Sequence, residues 1–297
     1  MMFSGLSAFP LTPLNEVGID EPTFVRLIER LASAGVDSIG ALGSTGSYAY
    51  LTRAERFRVA QLAVGHAENT PVIIGIGALR TRDVLDLAED AQKAGASGVL
   101  LAPMSYQKLS DEEVYGLYET VTRSLSVPLC VYDNPATTHF EFSDELHSRI
   151  AQLPHVASIK IPGVPVDPTA AQARAARLRA MIPSHVTIGV SGDAFAATGL
   201  NAGCEAWYSV IGGLFPKTAL AITRAALTGN AQGARQLSDK LAPLWALFLQ
   251  YGSLRVTATA AEILGLVTRP SLPLPVRTLE ESERQRLQLI LNELALA

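Results

Sequence analysis

The sequence predicts a (β/α)8 barrel with a C-terminal helical extension. The prediction rests on chain length, on two recurring punctuation patterns, and on strands that are apolar throughout. At 297 residues the chain has the size of one α/β barrel. In the first pattern, Ala-Gly follows a helical stretch and precedes an apolar run: "SAGVDSIGAL" (33–42), "KAGASGVLLAP" (93–103) and "NAGCEAWYSVI" (201–211). Glycine takes the left-handed conformation cheaply, so each Ala-Gly reads as a helix stop that feeds a strand. In the second, proline leads an apolar run: "PVIIGIG" (71–77), "PLCVYD" (128–133), "PHVASIK" (154–160) and "PSHVTIGVS" (183–191). Proline opens a strand readily and continues a helix poorly. These seven runs do not alternate polar with apolar, as expected of strands covered by helices on the outside and packed side chains on the inside.

The opening run "FSGLSAF" supplies the eighth strand, ahead of the helical "TFVRLIERLAS". Later segments such as "VLDLAEDAQK" carry the same helical periodicity. The barrel is expected over residues 1–230. Residues 231–297, with "ARQLSDKLAPLWALFLQ" and "ESERQRLQLILNELALA", form the extension packed on it. Thr278 and Glu281 have capping-box spacing for the last helix. The competing fold, an open doubly wound sheet, requires a nucleotide fingerprint at a switch point. "GIGALR" (75–80) lacks its third glycine.

Composition narrows the function. Hydrophobic residues make up 48% and charged residues 18%, which fits a well-buried core. The net charge of −4, with no basic block, argues against nucleic acid as the main partner. Cys130 and Cys204 form no disulfide framework. No apolar run is long enough to span a membrane, and no signal peptide is legible, so a cytoplasmic protein is expected. The five histidines show no paired ligand spacing, so neither a metal nor another cofactor is expected.

Chemistry in a barrel sits at the C-terminal ends of the strands. Lys160 ends the sixth strand and Tyr132 the fifth, so the two are neighbours. Ser44 and Thr45 end the second, in a Gly-Ser-Thr-Gly turn that continues with Gly46. Burial in the barrel mouth disfavours an ammonium, and the neutral amine attacks a carbonyl carbon to give a Schiff base. A tyrosine alongside suits proton transfer. The hydroxyls and amides of the Gly-Ser-Thr-Gly turn suit a carboxylate. Taken singly, these residues also read as a snorkelling lysine, a packed tyrosine and an ordinary turn.

"AFPLTPLNEVGID", "GSTG", "VYDNP", "SIK", "SGD" and "SVIGGLFPK", in that order, make the chain resemble the dihydrodipicolinate synthase / N-acetylneuraminate lyase family of class I, pyruvate-type aldolases. The resemblance implies a homotetramer or homodimer and a 2-keto acid and an aldehyde as substrates. It also implies Lys160 as Schiff-base residue, Tyr132 as proton shuttle, and Ser44 and Thr45 at the carboxylate and relay site. Thr137, Gly192 of "SGD" and Tyr208 fall at substrate-contact positions. In the synthases, the stretch matching "YDNPAT" ends in an arginine that clamps the second substrate's carboxylate, and Thr137 stands there instead. The paired relay tyrosine falls at Ser105, with Tyr106 one residue later. The expected activity is therefore reversible aldol cleavage or formation other than dihydrodipicolinate synthesis. The alternatives are a dehydratase or hydratase-aldolase using the same lysine, and a non-catalytic keto-acid-binding protein. His139 and Asp193 read as a solvated loop residue and a helix cap.

Overall fold

The structure, a computed structural model, describes residues 2–296. Eight strands close a barrel: β1 (Gly5–Ala8), β2 (Ser38–Ala41), β3 (Val72–Gly75), β4 (Gly98–Leu101), β5 (Leu129–Tyr132), β6 (Val156–Ile161), β7 (Thr187–Val190) and β8 (Ala206–Ser209). Every neighbouring pair is parallel, and β1 joins both β8 and β2. Nearly all strand residues are buried, which accounts for their uniform apolarity.

Local signals set the helix boundaries. Asp20 accepts from the Thr23 amide ahead of α1 (Glu21–Ala34), and Gly35 ends that helix at φ 74°. Thr52–Glu55 and Ser110–Glu113 form full capping boxes on the helices Arg53–His66 and Asp111–Thr122. The barrel helices pack against the strands in one continuous apolar layer. A second cluster, including Phe9, Cys130, Tyr132 and Tyr208, fills the barrel interior.

Beyond residue 230 the chain forms four helices, Ala231–Lys240, Ala242–Tyr251, Ser253–Ile263 and Glu281–Glu293. Leu244, Leu247, Val256 and Leu287 of these helices join the core of the barrel helices. The capping box expected at Thr278 is absent. The last helix starts from Glu280, with no side-chain cap. The Leu279 amide donates to Thr259 Oγ1 at 2.9 Å, which holds the chain extended past Thr278. No helix is long and apolar enough to cross a membrane among the described residues.

Candidate active site

Lys160 and Tyr132 are register partners on β6 and β5. Neighbouring parallel strands at equal height point partnered residues the same way, here inward. Lys160 is only 5% exposed. Its Nζ lies 3.9 Å from the Tyr132 ring centroid, 4.2 Å from that of Phe9 and 5.6 Å from that of Tyr208. Three ring faces thus surround the nitrogen, and among the described residues no carboxylate pairs with it. Ring faces attract a cation without neutralising it, which suits a nitrogen that becomes a protonated imine.

The Tyr132 hydroxyl lies 3.5 Å from Ser44 Oγ and accepts from Asn134 Nδ2 at 2.8 Å. The same amide nitrogen donates to Thr137 Oγ1 at 2.9 Å. Ser44 and Thr45 begin a single 3-10 turn after β2. The Gly46 and Ser47 amides close it onto the carbonyls of Gly43 and Ser44.

Below Lys160, Tyr208 sends its hydroxyl down the barrel to Ser158 Oγ at 2.6 Å, and Cys130 Sγ donates to it at 3.4 Å. Tyr208 therefore presents its ring, and not its phenol, to the site. Asp193 does not cap the helix that follows. Its carboxylate accepts from Trp207 Nε1, Ser209 Oγ and the amides of Val210 and Ile211, at 2.7–3.2 Å. Burial pushes this carboxyl up to about 6, against the pull of the four donors.

A cavity of about 680 Å³ opens at the C-terminal ends of the strands. Ser44, Thr45, Thr137, Gly192 and Tyr208 all contribute to its wall, together with Lys160 and Tyr132. Lys160 is the only cationic side chain among the described lining residues. Arg56 is nearby but lies behind Tyr48, donating to the carbonyls of Gly75 (2.8 Å) and Gly77 (2.9 Å). Burial without a carboxylate partner pulls it down to about 10.

Two expected residues lie elsewhere. Tyr106 is 91% exposed and outside the wall, where Met104 and Ser105 stand instead. Gly46 faces Thr12 and Pro10, not the cavity. His139 is exposed and also outside it. Conversely, Phe9, Tyr48, Asn134 and the tail segment 248–254 line the cavity, and sequence reasoning had not placed them there. Asn134 sits inside the "YDNP" stretch, the one local signal that could have found it. The tail segment is marked only by Gly252 between two apolar helices.

The dihydrodipicolinate synthetase family model matches residues 2–294. The chain belongs to this family. It is accordingly an enzyme of the class I lyase type, whose members work through a Schiff-base lysine. Among curated family members it is 29% identical over 298 residues to the 4-hydroxy-tetrahydrodipicolinate synthase of Persephonella marina, covering 99% of both chains. It is 30% identical to that of Phenylobacterium zucineum, covering 95% of this chain and 94% of the other. Among solved structures, dihydrodipicolinate synthase from Agrobacterium tumefaciens superposes with a TM-score of 0.95 at 45% identity, over 99% of this chain and 98% of the other.

Proposed function

We propose that Lys160 is the Schiff-base nucleophile of a pyruvate-type aldolase whose acceptor aldehyde carries no second carboxylate. The observation that supports the chemistry best is the position of the Lys160 amine beside Tyr132, with the Tyr132 hydroxyl near Ser44. The neutral amine adds to C2 of the 2-keto acid, and the carbinolamine hydroxyl leaves as water with the Tyr132 proton, which leaves a protonated imine and the Tyr132 phenolate. The imine withdraws electrons from C3, and Tyr132 takes the proton released there. The resulting enamine attacks the aldehyde carbon, and the oxygen formed takes a proton back through Tyr132. Water then hydrolyses the imine, its surplus proton returns to Tyr132, and Lys160 is freed. Cleavage runs the same steps in reverse.

The acceptor preference rests on the charge of the wall. Among the described lining residues Lys160 is the one cation, and in this reading it is taken up by the Schiff base. Where the synthases hold an arginine, Thr137 and Asn134 offer a hydroxyl and an amide. Neither replaces a bidentate, charge-assisted clamp. Phe248 and Leu254 add apolar surface at the rim. Neutral hydroxylated or aromatic aldehydes fit this wall.

Incubation with pyruvate and borohydride, then peptide mapping, tests the nucleophile. The added mass is expected on the peptide containing "IKIPG". No adduct with pyruvate or with any longer 2-keto acid tried would remove the Schiff-base assignment. Product analysis with an aldehyde panel then separates aldol chemistry from dehydration.

A further inference from the structure

Asn134 is the N-cap residue of a one-turn helix, Pro135–Thr138. An asparagine there ordinarily turns its side chain onto the exposed helix amides. Here it makes no such bond. The Asn134 backbone carbonyl accepts instead from the amides of Thr137 and Thr138 and from Thr138 Oγ1, each at 3.0 Å. The turn is thus held by the main chain, and the side-chain amide is left for the cavity. Both of its N–H groups are used, on Tyr132 Oη (2.8 Å) and Thr137 Oγ1 (2.9 Å).

We propose that Asn134 is a positioning residue for proton transfer by Tyr132. This inference rests on the reading that Tyr132 carries the proton from C3. A primary amide nitrogen donates and does not accept. It therefore occupies one lone pair of the phenolic oxygen and turns the O–H away from itself, toward Ser44. When Tyr132 is ionised, the same bond becomes charge-assisted and strengthens. Asn134 thus holds the phenolic oxygen in one orientation through the proton transfer, before and after it takes the C3 proton. It touches neither of the reacting carbons in this scheme and acts through Tyr132.

The test uses the half-reaction that needs only pyruvate, exchange of its C3 protons with D2O followed by NMR, from pH 6 to 10. Asn134→Leu keeps the bulk and removes the donor. Asn134→Asp is close in shape and places an anion against the phenolate. Exchange by the leucine variant is expected to fall about 10- to 100-fold at neutral pH, the worth of one hydrogen bond to a charged group. The alkaline rise of the rate should move up by roughly one to two pH units. The aspartate variant should move it further. Borohydride should still trap pyruvate on Lys160 in both. Rates and profiles within twofold of wild type would overturn the proposal. So would a slower rate with an unmoved pH profile, which would mark a purely structural role. Absence of both adduct and exchange in the wild type would remove the proposed function itself, a result distinct from either of these.

Discussion

Asp133 and His147 meet behind the active-site strands, carboxylate oxygen to imidazole nitrogen at 3.5 Å, with 5% and 0% of the residues exposed. Asp133 follows Tyr132 and faces the opposite way, and its amide donates to the Lys160 carbonyl at 3.0 Å. His147 is stacked flat on Phe142. Arg174, Glu141 and Asp144 are the charged groups acting on the pair. Burial pushes the Asp133 carboxyl up to about 7, and burial together with Arg174 pulls the His147 imidazole down to about 4. Between these values the folded pair keeps its one proton on the carboxyl, whereas an unfolded chain keeps it on the imidazole.

Because the folded and unfolded pair then bind equal numbers of protons, it should add little pH dependence to stability between about pH 4 and 6.5. Asp133→Asn should uncover the histidine. Its folded value is depressed, so stability should rise with pH across that window, by up to ~1.4 kcal/mol per pH unit. His147→Phe should uncover the aspartate. Its folded value is raised, so stability should fall as pH rises from about 4 to 7. Urea denaturation at pH 4.5, 5.5 and 6.5 reads both slopes, and slopes equal to wild type would refute the shared-proton assignment.

Tyr132→Phe keeps the ring against Lys160 and removes only the hydroxyl. Turnover should drop ~10²- to 10⁴-fold with an unchanged circular dichroism spectrum. Turnover within threefold of wild type would transfer the proton to another group, with Tyr48 next in line on the cavity wall.

Thr137→Arg should reshape acceptor choice. With pyruvate and aspartate semialdehyde, kcat/KM should rise ~10-fold or more over wild type, because a charge-assisted bond to the acceptor carboxylate is gained. Activity on neutral aldehydes should not rise. An efficient wild-type reaction with the semialdehyde, near ~10⁴ M⁻¹s⁻¹, would sink the proposed preference.

Asp193→Asn replaces an acceptor of four hydrogen bonds by a group with one acceptor oxygen and an NH2 that confronts donors. A loss of ~3–5 kcal/mol in folding free energy is expected, since buried donors are left unmet. The urea midpoint measures it, and a loss below ~1 kcal/mol would mean that the β8 loop is held by other contacts.

The barrel was legible because its punctuation is local. Proline or Ala-Gly marks seven of the eight strand entries, and register follows from eight parallel neighbours. The pairing of Lys160 with Tyr132 came from the same logic. Residues whose roles depend on side-chain direction were not legible. Asn134 has the sequence of a helix cap and turns the other way. Asp193 reads as a cap and instead collects donors from β8 and the loop after it. Segment 248–254 lies over a hundred residues from Tyr132, and only the folded tail brings it to the rim. Thr278 has the right spacing for a box, but a tertiary bond at Leu279 overrides it.

Phe9 occupies ground that two absent side chains leave open. A β-carbon at Gly40 would fall 2.3 Å from its ring, and one at Gly43 would fall 2.6 Å from it. Positions 9, 40 and 43 are consequently interdependent in any change of the chamber, and the order of substitution matters. Trimming Phe9 first leaves a void beside Lys160 that admits a bulkier keto acid, and only afterwards can position 40 or 43 acquire a side chain. The reverse order drives a new methyl into an aromatic ring. Mutational routes to larger donors therefore pass through position 9, and a library that varies the three sites singly would miss most of them.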